Sequence, residues 1–274
     1  MDKIIEYMLA EDEGFGDITS NAVVEKGLVI SAQIISKDEG ILAGMDIIKE
    51  VFEEYDVKVS FWLKDGSPIS KNDLLMSVSG DARTILLLER TVLNLSMRMS
   101  GVASAANHYV NLVKDYSVRV AGTRKTSPAI AKFDKYALSV GGADTHRFGL
   151  DDMVLIKDNH IATCENPLDA LLKAKTNTSF SKKIEIEVET LDDAIECVKN
   201  GVDIVMLDNM TPSEVGEVID ELEKLNIRQN SLIEVSGGIT EETILDYAGL
   251  GVDIISIGAL THSSRSLNFS LKFD

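Results

Sequence analysis

The second half of the chain alternates short apolar stretches with segments of helical spacing, and this alternation constrains the fold more than any other feature. Runs of Val, Ile and Leu are typical of strands buried on both faces of a sheet, and helical connections between them imply parallel strands. The apolar stretches are VRVAG (118–122), MVLIK (153–157), IEIEVE (184–189), DIVMLD (203–208), LIEVSG (232–237) and DIISIG (253–258). Six or seven such units in about 150 residues predict an α/β fold with an incomplete (β/α) barrel of TIM type, and a doubly wound open sheet is the alternative.

Four of the intervening segments are the clearest helices. They are PLDALLKA (167–174), LDDAIECVKNG (191–201), PSEVGEVIDELEKL (212–225) and EETILDYAGLG (241–251). The first hundred or so residues have a different pattern, so we expect a boundary near residue 105.

That first part predicts a short amphipathic helix within residues 1–20 that ends in the acidic loop EDEGFGDITS. Strands follow at VISAQIIS (29–36), ILAG (41–44) and VKVSFWLK (57–64), with a helix at 45–55. A long helical segment covers 82–114, and its sequence SGVAS (100–104) predicts a kink or a break.

The charge of the chain excludes two classes of partner. A formal net charge of −18 and a pI near 4.6 argue against nucleic acid, which needs a basic face, and against anionic membranes. The N-terminus lacks the pattern of a signal peptide, and no apolar run is long enough to span a membrane. Two cysteines, Cys164 and Cys197, do not make a disulfide framework. We therefore expect a soluble, cytoplasmic protein.

A local excess of cations interrupts this acidic background. Residues 114–160 contain eight Lys or Arg against six Asp, a net charge of about +2. Such a cluster is stable where an anion offsets the mutual repulsion of its charges. The stretch Thr123–His160 therefore predicts an anion-binding site.

Charged or small residues follow almost every apolar strand, at the barrel edge where functional groups gather. Three glutamates, Glu185, Glu187 and Glu189, share one face of their strand, which is either solvated or buried against cations. The turns VSGGIT, before a helix expected from about Glu241, and IGAL–THSS (257–264) offer backbone N–H groups to phosphate. The residues at the strand ends are Arg124, Lys125, Lys157, Glu187, Glu189, Asp208, Asn209, Ser236, Gly237, Gly238 and Gly258.

Several of these residues also have structural interpretations. Arg90 could form an ion pair on a helix surface, and His146 could be a structural histidine, as we expect for His108 and His160. Lys157 is harder to explain structurally. Burying a lysine at the end of an apolar strand costs free energy unless its ammonium group has an ion-pair partner or takes part in binding or catalysis.

The motifs, taken in order, closely resemble the quinolinate phosphoribosyltransferase family over nearly the whole chain. They are ERTVLNLSMRMSGVAS, TRKTSPAIAKFDKYALSVGGADTHRFGL, LIKDNH, IEVET, LDNM, VSGG and GALTHS. The resemblance implies an N-terminal α/β sandwich domain (1–105) that is joined by the C-terminal tail (263–274), and an α/β-barrel phosphoribosyltransferase domain (106–262). It also implies a homodimer with shared active sites, and leaves room for a higher oligomer.

The activity implied by the resemblance is transfer of a phosphoribosyl group from phosphoribosyl pyrophosphate (PRPP) to quinolinate, with decarboxylation. The products are nicotinate mononucleotide, pyrophosphate and CO2, in de novo NAD biosynthesis, and the cofactor is Mg2+. The resemblance implies that Lys125, Lys157, Glu187 and Asp208 are catalytic, and that Glu187 and Asp208 hold the metal directly or through water. It assigns quinolinate to Arg124, His146, Arg147, Lys157 and the partner subunit's Arg90, and PRPP to Lys125, Glu187, Asp208, Ser236, Gly237, Gly238, Gly258 and His262.

The chain departs from the family pattern at two places. Gly122 stands where many relatives carry an acidic residue, and Asp144–Thr145 replaces a common glycine–asparagine pair beside His146. Three rival functions remain: a related molybdenum-transport-associated protein of the same fold, a Schiff-base lyase with Lys157 as nucleophile, and a non-catalytic phosphate-binding module.

Overall fold

The computed structural model describes residues 2–274. The helices are α1 (Lys3–Glu13), α2 (Ile18–Val23), α3 (Met45–Glu54), α4 (Ala82–Leu112), α5 (Ala131–Val140), α6 (Asp158–Ile161), α7 (Pro167–Asn177), α8 (Leu191–Lys199), α9 (Pro212–Lys224), α10 (Ile244–Ala248) and α11 (Ala259–His262). The strands are β1 (Val29–Ser36), β2 (Gly40–Ile41), β3 (Lys58–Trp62), β4 (Pro68–Ile69), β5 (Leu74–Asp81), β6 (Arg119–Ala121), β7 (Val154–Ile156), β8 (Ile184–Val188), β9 (Ile204–Asp208), β10 (Leu232–Ser236), β11 (Ile254–Ser256) and β12 (Phe269–Phe273).

The chain divides into two compact units. The first contains the chain up to Asn107 together with 126–142 and 260–274, and the second contains 108–125 and 143–259. The domain boundaries expected from the sequence, 1–105, 106–262 and 263–274, stay a prediction. Among residues 2–274, no helix is both long enough and apolar enough to cross a membrane.

Six parallel strands form the sheet of the second unit, in the order β6-β11-β10-β9-β8-β7. Strands that follow one another in sequence are neighbours from β7 to β11, and β6 continues the row beside β11. A doubly wound sheet reverses its strand order near the middle, so that alternative is excluded. The two ends of the row are β6 and β7, which confirms the incomplete (β/α) barrel with six strands.

Short capped turns carry the chain from strand ends into the crossover helices. Thr190 begins α8 and accepts the N–H of Asp193 at 3.2 Å. Thr211 begins α9 in a capping box with Glu214, and Pro212 occupies the first helical turn. These caps use N–H groups that a helix leaves unpaired, so they hold the loops after the strands in place.

An antiparallel sheet, β12-β1-β5-β3, forms the first unit with α3 and α4. The first strand, Val29–Ser36, has the predicted bounds, and the tail strand β12 pairs with it from Phe269 to Phe273. The C-terminal strand therefore extends the sheet formed by β1, β5 and β3.

Three local predictions were wrong. The helix α4 runs without a break through 100–104, because Gly101 serves close packing: a Cβ there would overlap the carbonyl oxygen of Arg265. The acidic loop is shorter than expected, because Asp17 caps a second helix, α2, that starts at Ile18. Strand β2 covers 40–41 and overlaps the expected strand at 41–44 by one residue only, because Asp65 accepts the N–H groups of Gly44 and Met45 and α3 starts there.

Candidate active site

The carboxyl ends of the parallel strands surround a cavity of about 430 Å³ in the second unit. Arg124 and Lys125 follow β6, and Lys157 follows β7. His146 and Arg147 come from the loop between α5 and β7, and the other lining residues come from β7 to β11 and the loops that follow β6, β9 and β10. The predicted site residues that line it are Arg124, Lys125, His146, Arg147, Lys157, Glu187, Asp208, Ser236, Gly237 and Gly238. Residues separated by more than one hundred positions in sequence therefore meet at one edge, as parallel strands require.

Three predicted residues lie elsewhere. Gly258 follows β11, and Ser256 is the residue of that strand that lines the cavity. Arg90 and His262 belong to the first unit, where Arg90 lines a separate cavity of about 360 Å³ with Glu11 and Asp12. The roles expected for these three residues stay predictions.

The cation cluster of the sequence is divided by the fold. Four of its eight basic residues line the cavity. Lys132 instead pairs with Asp2 in the first unit, and Lys135 is buried there. Arg119 lies at the amino end of β6 with its side chain 78% exposed. Composition predicted an anion site in this stretch, and the fold decides which of its charges line the cavity.

Cations and carboxylates both line the cavity. The ammonium group of Lys157 forms an ion pair with Glu187, whose side chain is 13% exposed. Asp208 accepts a hydrogen bond at 2.7 Å from the side-chain amide of the adjacent Asn209. The ion pair thus holds the ammonium group of Lys157 beside β8. The carboxylates of Glu187 on β8 and Asp208 on β9 line the cavity.

Arg147 is the most buried cation of the site, with 8% of its surface exposed. Its guanidinium donates to the carbonyl oxygen of Met153 at 3.3 Å. Burial lowers the pKa of Arg147, the charge of Arg124 lowers it further, and Glu185 and Glu187 oppose this shift. Two arginines that repel each other in a partly buried cavity create a strong preference for a bound anion.

His146 lies against two carboxylates that sequence reasoning did not connect to it. Its Nε2 atom is 3.4 Å from an oxygen of Glu185 and 3.4 Å from an oxygen of Glu234. Burial lowers the pKa of His146, but the two carboxylates at 3.4 Å outweigh burial and raise the pKa of the histidine. Burial has the opposite effect on a carboxyl group, and it raises the pKa of Glu185. The Nδ1 atom of His146 accepts the backbone N–H of Arg147 at 2.8 Å and so carries no hydrogen, and the additional proton of this coupled group at neutral pH therefore lies between Nε2 and the two carboxylates.

The solvated interpretation of the β8 face is wrong for Glu185, which is fully buried, although Glu189 is exposed. Glu234 was missed entirely. The available signal was a carboxylate in the middle of an otherwise apolar strand, LIEVSG. His146, Glu185 and Glu234 are also the one group among residues 2–274 whose possible metal-ligand atoms come within 4.8 Å of one another.

A glycine turn follows β10. Gly237 has φ of +101°, and a Cβ there would overlap the side-chain oxygen of Asn209 and lie 2.9 Å from its backbone nitrogen. That nitrogen donates to the carbonyl oxygen of Ser236 at 2.9 Å, so the loops after β9 and β10 are joined. The helix expected from about Glu241 begins later, at Ile244, after a turn in which Thr240 and Thr243 bond to each other.

We expect Gly237→Ala to destabilise the protein by about 1–3 kcal/mol, because alanine is strained at this φ and must displace Asn209. Gly238→Ala is the matched control: φ is +62° and nothing lies within 4 Å of the added Cβ, so its cost is about 1 kcal/mol. Urea unfolding of both variants measures the difference. Equal unfolding free energies would show that the contact with Asn209 is unimportant.

A second, larger cavity of about 820 Å³ lies at the amino ends of the same strands. Residues from the starts of the strands line it, among them Arg119, Lys183 and Leu232. His146, Arg147 and Glu234 line both cavities. These three side chains therefore separate the candidate site from the opposite edge of the sheet.

Two family models match consecutive parts of the chain. The model described as the quinolinate phosphoribosyl transferase N-terminal domain matches residues 17–100, and that described as the C-terminal domain matches residues 102–272. Together they cover almost the whole sequence.

Curated relatives and solved structures agree with these models. A probable nicotinate-nucleotide pyrophosphorylase (carboxylating) from Methanocaldococcus jannaschii is 48% identical over 275 residues, covering 98% of this chain and 95% of that protein. The nicotinate-nucleotide pyrophosphorylase (carboxylating) of Rattus norvegicus is 37% identical, with 88% and 81% covered. The crystal structure of nicotinate-nucleotide pyrophosphorylase from Ehrlichia chaffeensis superposes with a TM-score of 0.93 at 34% identity, covering 99% of this chain and 98% of that one.

Proposed function

This chain belongs to the quinolinate phosphoribosyltransferase family, and from that membership we propose that it converts quinolinate and PRPP into nicotinate mononucleotide, pyrophosphate and CO2. It is an enzyme of the pentosyltransferase class, and its place is in NAD biosynthesis. The observation that carries the proposal is the cavity that is lined by four Lys and Arg side chains, three carboxylates and a glycine turn.

The cations suit a planar dicarboxylate. Arginine presents a rigid fork of donors that matches a carboxylate, and Arg124 lies close enough to Arg147 for its charge to lower the pKa of Arg147. We assign them, with His146 and Lys157, to quinolinate. Lys125 lies next to Arg124 and is assigned to the pyrophosphate of PRPP, where its point charge offsets the developing negative charge.

The glycine turn after β10 suits the 5′-phosphate. Backbone N–H groups at Ser236, Gly237 and Gly238 can bind phosphate without a side-chain charge, and both glycines have positive φ. Gly258 and His262 complete the proposed PRPP set.

The reaction has two bond changes at the pyridine ring. The ring nitrogen attacks C1 of the ribose, and pyrophosphate leaves with the electron pair of the C1–O bond. The nitrogen is then cationic, so the bond from C2 to its carboxylate breaks, CO2 leaves, and C2 takes a proton. In this proposal the protein orients the two substrates, and Glu187 and Asp208, which line the cavity, stabilise the positive charge that develops on the sugar carbon.

The residues at the ends of β8 and β9 fit Mg2+. This ion prefers one or two carboxylates together with substrate phosphates and water, and Glu187 and Asp208 offer oxygen atoms at the same edge as the phosphate turn. When bound, Mg2+ neutralises phosphate charge and assists departure of pyrophosphate. We therefore assign Glu187 and Asp208 to the metal, directly or through water.

We also propose a homodimer, in which the partner subunit's Arg90 reaches the dicarboxylate, and a cytoplasmic location. Arg90 is exposed in the first unit, so its side chain is accessible to a second chain. Cys164 and Cys197 are free thiols, which suits a reducing compartment.

The rival functions are less well supported. Lys157 is ion-paired with Glu187, and an ammonium group has no lone pair with which to form a Schiff base. The curated relatives from M. jannaschii and R. norvegicus carry the pyrophosphorylase name, not that of the molybdenum-transport-associated protein.

The test is an assay of the purified full-length chain with quinolinate, PRPP and Mg2+. We expect release of CO2 in step with nicotinate mononucleotide, since one bond change enables the other. Nicotinate should not replace quinolinate, because it lacks the second carboxylate. Binding of PRPP without CO2 release would contradict the proposal and favour a non-catalytic phosphate-binding module.

A further inference from the structure

Two fully buried glutamates in the second unit have no role in the proposed reaction. Glu185 and Glu234 have 0% exposure, and none of their four carboxylate oxygens accepts a hydrogen bond within residues 2–274. Burying a carboxylate without partners is costly, and native proteins rarely keep such groups without a use. The two side chains must therefore act on a neighbouring group.

That neighbour is His146, with which they form a cluster between the two cavities. Glu185 on β8 and Glu234 on β10 flank β9, and the ring of His146 lies between their carboxylates at 3.4 Å from each. His146 and Glu234 line both the candidate site and the cavity at the amino ends of the strands. We call His146, Glu185 and Glu234 the partition cluster.

The direction of the hydrogen bonds favours a ring hydrogen over a metal ion in this cluster. The Nδ1 atom of His146 accepts the backbone N–H of Arg147 at 2.8 Å. The other nitrogen, Nε2, therefore carries the ring hydrogen and faces the carboxylates. A metal-binding histidine has the opposite arrangement, with a bare nitrogen at the metal and the other N–H donated to a partner.

The cluster holds a strained turn. His146 has φ of +52°, which is uncommon for a residue other than glycine and persists only where the surroundings enforce it. Its own N–H donates to Asp144 at 2.8 Å, its Nδ1 binds the next residue, and its Nε2 faces the glutamates. Each of these contacts restrains the direction in which Arg147 leaves the turn.

Arg147 depends on the same carboxylates electrostatically. Its guanidinium is almost buried near Arg124, and Glu185 is one of the two acids that offset this repulsion. Loss of Glu185 would remove a negative charge that offsets the repulsion between Arg124 and Arg147. Loss of Glu234 would remove one of the two carboxylates that face Nε2 of His146.

We propose that Glu185 and Glu234 are positioning residues for the dicarboxylate pocket: they keep His146 in its left-handed turn and thereby aim Arg147 into the cavity. This inference rests on the proposed function, because it assigns Arg147 to quinolinate. The phosphate turn at Ser236–Gly238 is held by Asn209 instead, so the effect should fall on one substrate.

The first experiment measures both substrates in Glu185→Gln and Glu234→Gln. We expect the KM for quinolinate to rise about tenfold in each variant, while the KM for PRPP changes less than about twofold. The double variant should lose less than the product of the single effects, because both glutamates act on one ring. Glu217→Gln, on the exposed face of α9, is the matched control and should leave both constants unchanged.

A purely structural role would alter both KM values equally, and that result would overturn the proposal. An unchanged KM for quinolinate would do the same. Should one glutamine variant fail to fold, Glu234→Asp, which keeps the charge and shortens its reach, carries the same comparison. If the wild type itself makes no product, the proposed function fails and the second experiment still decides the inference.

The second experiment reads the ring directly by nitrogen NMR of labelled histidine. The chain has four histidines, so the His146→Gln spectrum identifies the signal. We expect a hydrogen on Nε2 of His146 in the wild type, and a changed ring signal in both glutamine variants. Stoichiometric Zn2+ binding that is abolished by Glu234→Gln would overturn the proposal in favour of a metal site.

Discussion

Arg124→Ala is expected to lower kcat/KM for quinolinate by about 10²–10³-fold while the fold survives. A bidentate arginine–carboxylate contact is worth roughly 3–4 kcal/mol, and about 1.4 kcal/mol corresponds to a tenfold change. Arg124 follows β6 in the loop that lines the cavity. Steady-state kinetics with quinolinate varied at saturating PRPP measures the loss, and circular dichroism checks the fold.

Arg119→Ala is the matched control for this variant. Arg119 lies at the other end of the same strand, is mostly exposed and is 3.9 Å from Asp144, so its loss should change kcat/KM by less than about twofold. Near-normal turnover of Arg124→Ala would place the dicarboxylate elsewhere. A similar loss in both variants would indicate a general effect of charge.

Lys157→Met is expected to reduce kcat/KM by about 10²-fold or more, because it removes a cation from the cavity and leaves Glu187 without its partner. Lys157→Arg should recover part of the activity, since it restores the charge and an ion pair with Glu187. The same quinolinate kinetics compares the two variants.

This pair of variants also separates the two chemical uses of Lys157. A Schiff-base enzyme would be inactive as Lys157→Arg and would be trapped by borohydride with a carbonyl substrate. Lys183→Met is the control, because Lys183 pairs with Asp203 at the amino end of β8 and is 67% exposed. Complete inactivity of Lys157→Arg together with borohydride trapping would contradict the role proposed for Lys157.

The strand ends could be read from the sequence for a clear physical reason. In a parallel sheet every strand delivers the next residues to the same edge, so Arg124, Lys157 and Asp208 had to approach one another once their strands were recognised. No knowledge of side-chain packing was needed. The strand order and the cavity that these residues line agree with that argument.

Other features could not be inferred locally. The sequence SGVAS resembles a helix break, yet Gly101 is required by the tail segment at Arg265, which lies far away along the chain. The segment 241–251 was predicted as a helix, but α10 covers only Ile244–Ala248, and its start depends on the turn at Thr240–Thr243. Both outcomes depend on contacts that a pattern of residues along the chain does not contain.

By itself, the sequence favoured an incomplete barrel of six or seven strands and identified the charged and small residues that follow those strands, because periodicity and strand direction are local properties. Only the tertiary structure decided that Glu185 and Glu234, separated by β9, face one histidine, and that four of eight clustered cations share a cavity. Those facts depend on strand register and on a left-handed turn at His146, which are set by the packing of the whole unit.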